Sequence, residues 1–262
     1  MPTAHFERCL ALCVAMIPGV ALGSPLYHLT DLGALAGFGS NYGTAVNNSG
    51  QVAGWSAGAI QQAMQAAGGV VTEIPTGGFS AAHGINNHGL VVGELGNAGV
   101  SSSPFAWDGT TLTQLATPTG TVVGGAFAVN DDGVAVGYTG TAPGKSEATV
   151  FGGGSYQILP RLAGAPVNGQ DWAYGINSTG DIVGMDGGRA FLFSHGVMTP
   201  LAVQGSGSSG ALAISNNGTA VGFAAGDLGV GNEFDHGVVW REGITTVIDL
   251  GVWSMFRVLP LM

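Results

Sequence analysis

The sequence predicts an all-β protein. The expected form is a β-propeller of about five four-stranded blades, its ring complete or left open, with a β-solenoid-like array as the competing architecture. Three observations carry this. One short string recurs five times along the 262 residues. Each copy has hairpin chemistry at its centre. Strand-like runs follow each copy at a regular offset, giving units of the ~40–50 residues that propeller blades occupy.

The string is a small residue, Val or Ile, Asn or Ser, two further residues and Gly, then three residues and a closing Gly. It reads AVNNSGQVAG (Ala45 to Gly54), GINNHGLVVG (Gly84 to Gly93) and AVNDDGVAVG (Ala128 to Gly137). It returns as GINSTGDIVG (Gly175 to Gly184) and AISNNGTAVG (Ala213 to Gly222). Its first glycines, Gly50, Gly89, Gly133, Gly180 and Gly218, are 39, 44, 47 and 38 residues apart. Val or Ile before the Asn closes one strand, and the apolar residues beyond Gly open the next. Between them, Asn bonds its own backbone and tolerates positive φ, while Gly adopts positive φ without steric cost. The closing glycine predicts a bulge or a close backbone approach.

A third strand follows, ending in an aromatic residue that would bury its ring against the neighbouring unit. It reads SPFAW (Ser103 to Trp107), EATVF (Glu147 to Phe151), RAFLF (Arg189 to Phe193) and HGVVW (His236 to Trp240), with QAMQA (Gln62 to Ala66) as a degenerate first copy. A fourth strand is predicted at TLTQL (Thr111 to Leu115), YQIL (Tyr156 to Leu159), VMTPL (Val197 to Leu201) and TTVIDL (Thr245 to Leu250). YHLTDL (Tyr27 to Leu32) is a related run that would close the ring by joining the last blade. Helix has one foothold, AIQQAMQAA (Ala59 to Ala67), which has helical propensity but whose place in the repeat predicts a strand. A solenoid uses shorter and more uniform coils than these intervals.

The N-terminus has the three-part pattern of a secretory signal: Arg8, the apolar run Cys9 to Leu22, and small residues Ala21 and Gly23 before an expected cut. The predicted organisation is a signal peptide over 1–23, a repeat domain over 24–251 and a divergent tail over 252–262. Both cysteines, Cys9 and Cys13, lie in the signal, so the mature chain would have no thiol chemistry. Six Lys+Arg against sixteen Asp+Glu give a formal net charge of −10, and Lys145 is the lone lysine, which excludes a phosphate-backbone footprint. No later apolar run of about 18 residues follows, so membrane insertion after cleavage is not expected.

Candidate chemistry is sparse. His28, His83, His88, His195 and His236 are scattered without zinc-hydrolase spacing and read as loop residues. Asn130-Asp131-Asp132-Gly133 concentrates two acids without the alternation of a calcium loop. The pairs Asp181 with Asp186 and Glu233 with Asp235 read as solvated charges. Lys145, Arg161, Arg189, Arg241 and Arg257 are spread over separate units, against a sialidase-type arginine cluster. Gly205 to Gly210 is loop composition rather than a nucleophile elbow, and Gly152-Gly153-Gly154 lacks the lysine of a phosphate loop. Of the tryptophans, Trp107 and Trp240 are expected in the core. Trp55 and Trp172 fall at unit edges as candidates for sugar stacking, and Trp253 is in the tail. No catalytic, cofactor-binding or metal residue is assigned and no cofactor is expected.

The units resemble the HAF repeats of extracellular bacterial proteins. That resemblance rests on Ala82 to Gly93 (AHGINNHGLVVG), Ala173 to Gly184 (AYGINSTGDIVG), Arg189 to Phe193 with Arg189 in place of the family's His, and Asp31 to Gly37 (DLGALAG). It spans about Tyr27 to Gly251 and implies secretion or surface display on a propeller-like fold, with no defined reaction. The function expected is a non-enzymatic binding or scaffold module for a glycan or protein ligand outside the cell. The rival is a secreted carbohydrate hydrolase with a pocket at the propeller axis.

Overall fold

Each repeat unit folds as one four-stranded antiparallel sheet whose strands follow chain order. The computed structural model describes residues 31–97, 100–166, 169–203, 207–225 and 236–248. The chain divides into units Met1–Asp31 and Leu32–Met262, and all the described strands lie in the second. The first sheet holds β1 (Ser40–Val46), β2 (Val52–Ala57), β3 (Gln61–Ala67) and β4 (Val70–Glu73). The second holds β5 (Ser80–Ile85), β6 (Val91–Asn97), β7 (Ser101–Trp107) and β8 (Leu112–Gln114). In the third are β9 (Val123–Val129), β10 (Ala135–Ala142), β11 (Lys145–Gly152) and β12 (Ser155–Ile158). The fourth has β13 (Trp172–Ile176), β14 (Ile182–Asp186), β15 (Arg189–Ser194) and β16 (Val197–Pro200). The fifth has β17 (Ser209–Ile214), β18 (Ala220–Ala224), β19 (His236–Arg241) and β20 (Ile244–Ile248). The segment with helical propensity is β3, paired to β2 along its length. The expected signal, Tyr27 to Thr30 of the expected closing strand and the tail over 252–262 lie outside the described residues, while Asp31 and Leu32, the end of that expected strand, are not in a strand.

The recurring string is the hairpin between the first two strands of every sheet. In the first unit Asn47 N–H donates to Gln51 C=O, and Gly50 N–H donates back to Asn47 C=O, with Gly50 at φ +75°. The same two bonds close the hairpins at Asn86, Asn130, Asn177 and Ser215. Positive φ falls on the glycine alone. The Asn instead uses its side chain: Asn47 Oδ1 accepts from the N–H groups of Ser49 and Gln51, holding the turn from inside.

The asparagine also does something the string does not announce. Its Nδ2 donates to the hairpin of the next sheet, from Asn47 to Asn86 C=O (2.9 Å), Asn86 to Asn130 C=O (2.9 Å), Asn130 to Asn177 C=O (3.3 Å) and Asn177 to Ser215 C=O (3.3 Å). Hairpin residues of all five sheets line one polar funnel of about 430 Å³, so the sheets stand around a common axis as propeller blades and not as a linear solenoid.

The closing glycines explain the blade's geometry. A Cβ on Gly93 would lie 2.0 Å from Ala81 C=O and 2.7 Å from the Phe105 ring; one on Gly184 would meet Trp172 C=O at 2.0 Å and the Phe191 ring at 2.7 Å. Opposite each glycine the innermost strand carries one extra residue, at Thr44, His83, Phe127, Tyr174 and Leu212. Such a bulge bends the strand and re-aims the side chain at the extra position.

Apolar faces meet between consecutive blades. Ala53, Ala63 and Ile74 of the first unit bury Ala82, Val91 and Phe105 of the second, and three further clusters repeat this along the chain. The aromatic residues are only partly where the repeat predicts them. Phe151 and Trp240 are buried, whereas Trp107 and Phe193 are half-buried, and Phe105 and Phe191, two residues earlier on the same face, fill the core. They lie across from the closing glycines, and the missing side chain there makes room for the ring.

Candidate functional site

The bulges supply the site. His83, Phe127 and Tyr174 occupy the extra position of three successive blades, and their rings meet: His83 to Phe127 at 5.5 Å, edge to face, and Phe127 to Tyr174 at 5.4 Å, nearly parallel. Tyr138, directly after a closing glycine on β10, also stacks on Phe127 at 5.4 Å. Trp172, the first residue of β13, stands edge-on to Tyr138 (6.3 Å) and to Tyr174 (5.7 Å). Offset and edge-to-face contacts of this kind hold aromatic rings in fixed orientation.

His83, Phe127, Tyr138 and Trp172 line a pocket of about 240 Å³, away from the asparagine funnel and toward the other ends of the same inner strands. Its one acidic wall residue is Glu94, on β6, at the same repeat position as Tyr138. The Glu94 side chain is 11% exposed. Glu94 Oε2 accepts a hydrogen bond from the Tyr138 hydroxyl at 3.2 Å, and Oε1 lies 3.7 Å from His83 Nε2, too far for a hydrogen bond. Burial pushes the phenols of Tyr138 and Tyr174 up to about 12, so both stay neutral donors. His83 Nε2 and the Trp172 indole N–H are buried and make no hydrogen bond to protein.

The residues read from the sequence fall in three groups. His83 and Trp172 enter the pocket, so His83 is not a loop residue. His88 and His195 are exposed in turns, while His236 is a buried residue of β19 whose Nε2 has no protein partner. Trp55 stacks on Tyr42 at 4.0 Å, and Trp240 is buried with its N–H donated to Ala202 C=O. His28, Glu233, Asp235, Trp253 and Arg257 lie outside the described residues.

The acids divide differently from expectation. Asp186 is not solvated: it is 2% exposed and accepts from Arg161 Nη2 at 2.8 Å and from the Leu162 N–H. The same Arg161 Nη2 reaches Asp171, 3% exposed, at 2.9 Å. The triad ties the connection between β12 and β13 to the edge of β14. Burial and the neighbouring Asp186 charge push Asp171 up to about 6, against the bond from Gly187 N–H and the Arg161 charge. Both carboxylates are held by one guanidinium. Asp131 caps the neighbouring hairpin, accepting from Asn87 N–H and Nδ2 at 2.8 Å each, which lowers its carboxyl below the ordinary range.

Asp181, Ser194 and His195 also meet on the fourth blade. Ser194 Oγ bonds Asp181 Oδ1 and lies 2.8 Å from His195 Nδ1. The serine stands between the acid and the imidazole, whereas a nucleophilic triad needs the imidazole between the other two. His195 sits in an exposed turn at φ 51°. Burial opposes ionisation of Asp181, but the hydrogen bonds from Ser194, Asn177 and Thr179 prevail and lower its carboxyl.

The fold and pocket define a β-propeller with an aromatic pocket walled by its second, third and fourth blades. No protein-family model matches the chain, and no curated protein matches it in sequence. Among solved structures it is similar to a puromycin-hydrolyzing peptidase of Mycobacterium tuberculosis, with TM-score 0.54 and 14% identity over 77% of this chain and 35% of that one. It is also similar to YCF48 bound to D1 peptide (TM-score 0.46, 12% identity, 80% of this chain and 65% of that). TolB from Acinetobacter baumannii gives TM-score 0.46 and 15% identity over 76% and 51%. The chain thus spans about a third of the peptidase, half of TolB and two thirds of YCF48, and at these identities the likeness is one of fold alone.

Proposed function

We propose that the chain is an exported, non-enzymatic binding module whose ligand enters the aromatic pocket. One observation carries this reading. The repeat holds its hairpin and closing glycines constant, and it varies at the bulge and after the closing glycine. Those varied positions of the second and third blades supply His83, Phe127, Glu94 and Tyr138 to a single concave, mostly apolar site. An apolar pocket with a few converging polar groups is the form small-ligand sites take. Export is supported by Arg8, the apolar run to Leu22 and the small residues Ala21 and Gly23. The ligand expected from the sequence is a glycan or a protein segment, and a ring-lined wall accepts the flat face of either.

The test is a binding screen on the purified protein against glycans, peptides and small metabolites, read by Trp172 resonances in the wild type and by calorimetry in the wild type, Trp172→Ala and Trp55→Ala. Binding that Trp172→Ala abolishes and Trp55→Ala leaves intact supports the reading. Binding indifferent to Trp172, or turnover of a screened substrate, overturns it.

A further inference from the structure

The chain treats its buried acids in two ways. Asp171 and Asp186 share the Arg161 guanidinium. Glu94 is nearly as buried, yet among the described residues no arginine or lysine pairs with it. Among the described residues its polar partners are the Tyr138 hydroxyl and the His83 imidazole, whose Nε2 lies 3.7 Å from Oε1, beyond hydrogen-bond range and an ion pair only when the ring is protonated. A carboxylate removed from water and given no permanent counter-charge is costly to the fold, and a ligand able to supply that charge recovers the cost on binding.

The surroundings narrow the ligand. Phe127, Tyr138 and Trp172 wall the pocket that Glu94 shares, and aromatic faces attract cations through their quadrupole. A primary ammonium carries three N–H donors and holds its hydration tightly, so it needs several acceptors to leave water. A quaternary, fully methylated ammonium has a diffuse charge and no donor to satisfy, which suits ring walls and a single carboxylate. A neutral sugar would use the ring faces and leave Glu94 uncompensated. The formal net charge of −10 favours encounter with a cation and disfavours an anion.

We infer that the pocket binds a quaternary ammonium head group, with Glu94 as its counter-charge and Phe127, Tyr138 and Trp172 as its walls. This rests on the pocket being the ligand site and adds the class of ligand.

The experiment titrates the full chain with choline and, in parallel, with 3,3-dimethylbutan-1-ol, which has the same shape without charge. The expected result is choline binding at least about tenfold tighter than the alcohol. Glu94→Gln, which keeps an acceptor for Tyr138, should weaken choline binding about tenfold and leave the alcohol unchanged, with a melting temperature no lower than that of the wild type as the control for folding. N-acetyl-trimethyllysine amide, run alongside, separates a free metabolite from a modified peptide as the source of the head group, and tighter binding of either supports the inference. Equal binding of choline and the alcohol, or choline binding untouched by Glu94→Gln, overturns the ammonium class. The pocket reading survives that outcome if Trp172→Ala abolishes binding of both compounds. If no ammonium compound shifts the Trp172 resonances but a glycan does, the ammonium inference falls alone. If nothing in either screen shifts them, both readings fall.

Discussion

The fifth blade is built from the same string as the first four, yet one of its faces is different. The residue before the closing glycine is Ala53, Val92, Val136 and Val183 in blades one to four, each at 0% exposure; in blade five it is Val221, at 41%. One strand further out, Ala63, Pro104, Ala148 and Ala190 are buried where the fifth blade has exposed Gly237. The cause is position. Each of the first four blades presents this face to the next, and among the described residues no sheet packs substantially on this face of the fifth. The string therefore encodes the sheet, while burial of the forward face comes from the neighbour, as in other repeat architectures. The hairpin carries the same signature. Asn47, Asn86, Asn130 and Asn177 each donate to a following hairpin, and the fifth unit has Ser215, whose hydroxyl, among the described residues, bonds Asn217 and Thr219 within its own turn.

The largest expected effect should erase the difference between the blades. Closing glycines are constrained inside their own sheet: a Cβ at Gly184 meets Trp172 C=O at 2.0 Å, and one at Gly222 meets Gly210 C=O at 2.0 Å. Gly184→Ala and Gly222→Ala should each cost on the order of 3 kcal/mol or more. Urea titrations of both variants check this. A mild effect in the fifth blade alone would show that its bulge is not held as the others are.

The comparison sharpens at the next residue. Val183→Ala removes two methyl groups from a fully buried site and should cost about 2 kcal/mol, whereas Val221→Ala should stay within about 0.5 kcal/mol. Equal losses in the two midpoints would mean that Val221 is covered in solution. The hairpin asparagine comes third. Asn86→Asp keeps the acceptor for its own turn, loses the donor and sets an anion against Asn130 C=O; about 1–3 kcal/mol is expected. Ser215→Asn should change stability by no more than about 0.5 kcal/mol, since there is no described hairpin for its new amide to reach. A clear gain from Ser215→Asn would reveal a partner on that side.

Much of this architecture was legible because it is local. Asn-x-x-Gly sets a hairpin wherever it stands, alternating apolar residues set the strands, and regular spacing of five copies sets the blades. Register even turned AIQQAMQAA into β3 against its helical propensity. The site was less legible. His83 reads as a loop histidine and Trp172 as an edge tryptophan, and Phe127, Glu94 and Tyr138 are not marked out, because the extra residue on each inner strand is visible only once the closing glycine is paired across the sheet. The signal was present in the sequence. Thr44, His83, Phe127, Tyr174 and Leu212 all stand three residues before the hairpin Asn or Ser, and Trp55, Glu94, Tyr138, Met185 and Phe223 directly follow the closing glycine. Two positions that vary freely within a constant frame are where a repeat protein places recognition. The Arg161 triad had no such signal, since its partners sit 10 and 25 residues away in different parts of the unit.

That triad gives the smallest and most specific test, because it strengthens an interior seam that has no counterpart on the open face. Asp171 sits higher in the folded protein, at about 6, than the 3.8 of an exposed aspartate, with burial the first cause. Between roughly pH 4 and pH 6 the folded state therefore holds a proton that the unfolded chain has released, and the contribution of this group to stability falls as pH rises through that window. Above it both states are ionised and the contribution is level. In Asp171→Asn the group no longer titrates. The melting temperature of the wild type minus that of the variant should accordingly decline from pH 4 to pH 6 and then flatten. Thermal melts at half-unit intervals measure it. A difference that rises across the window would mean that the Arg161 charge outweighs burial, placing the folded-state value below that of the unfolded chain.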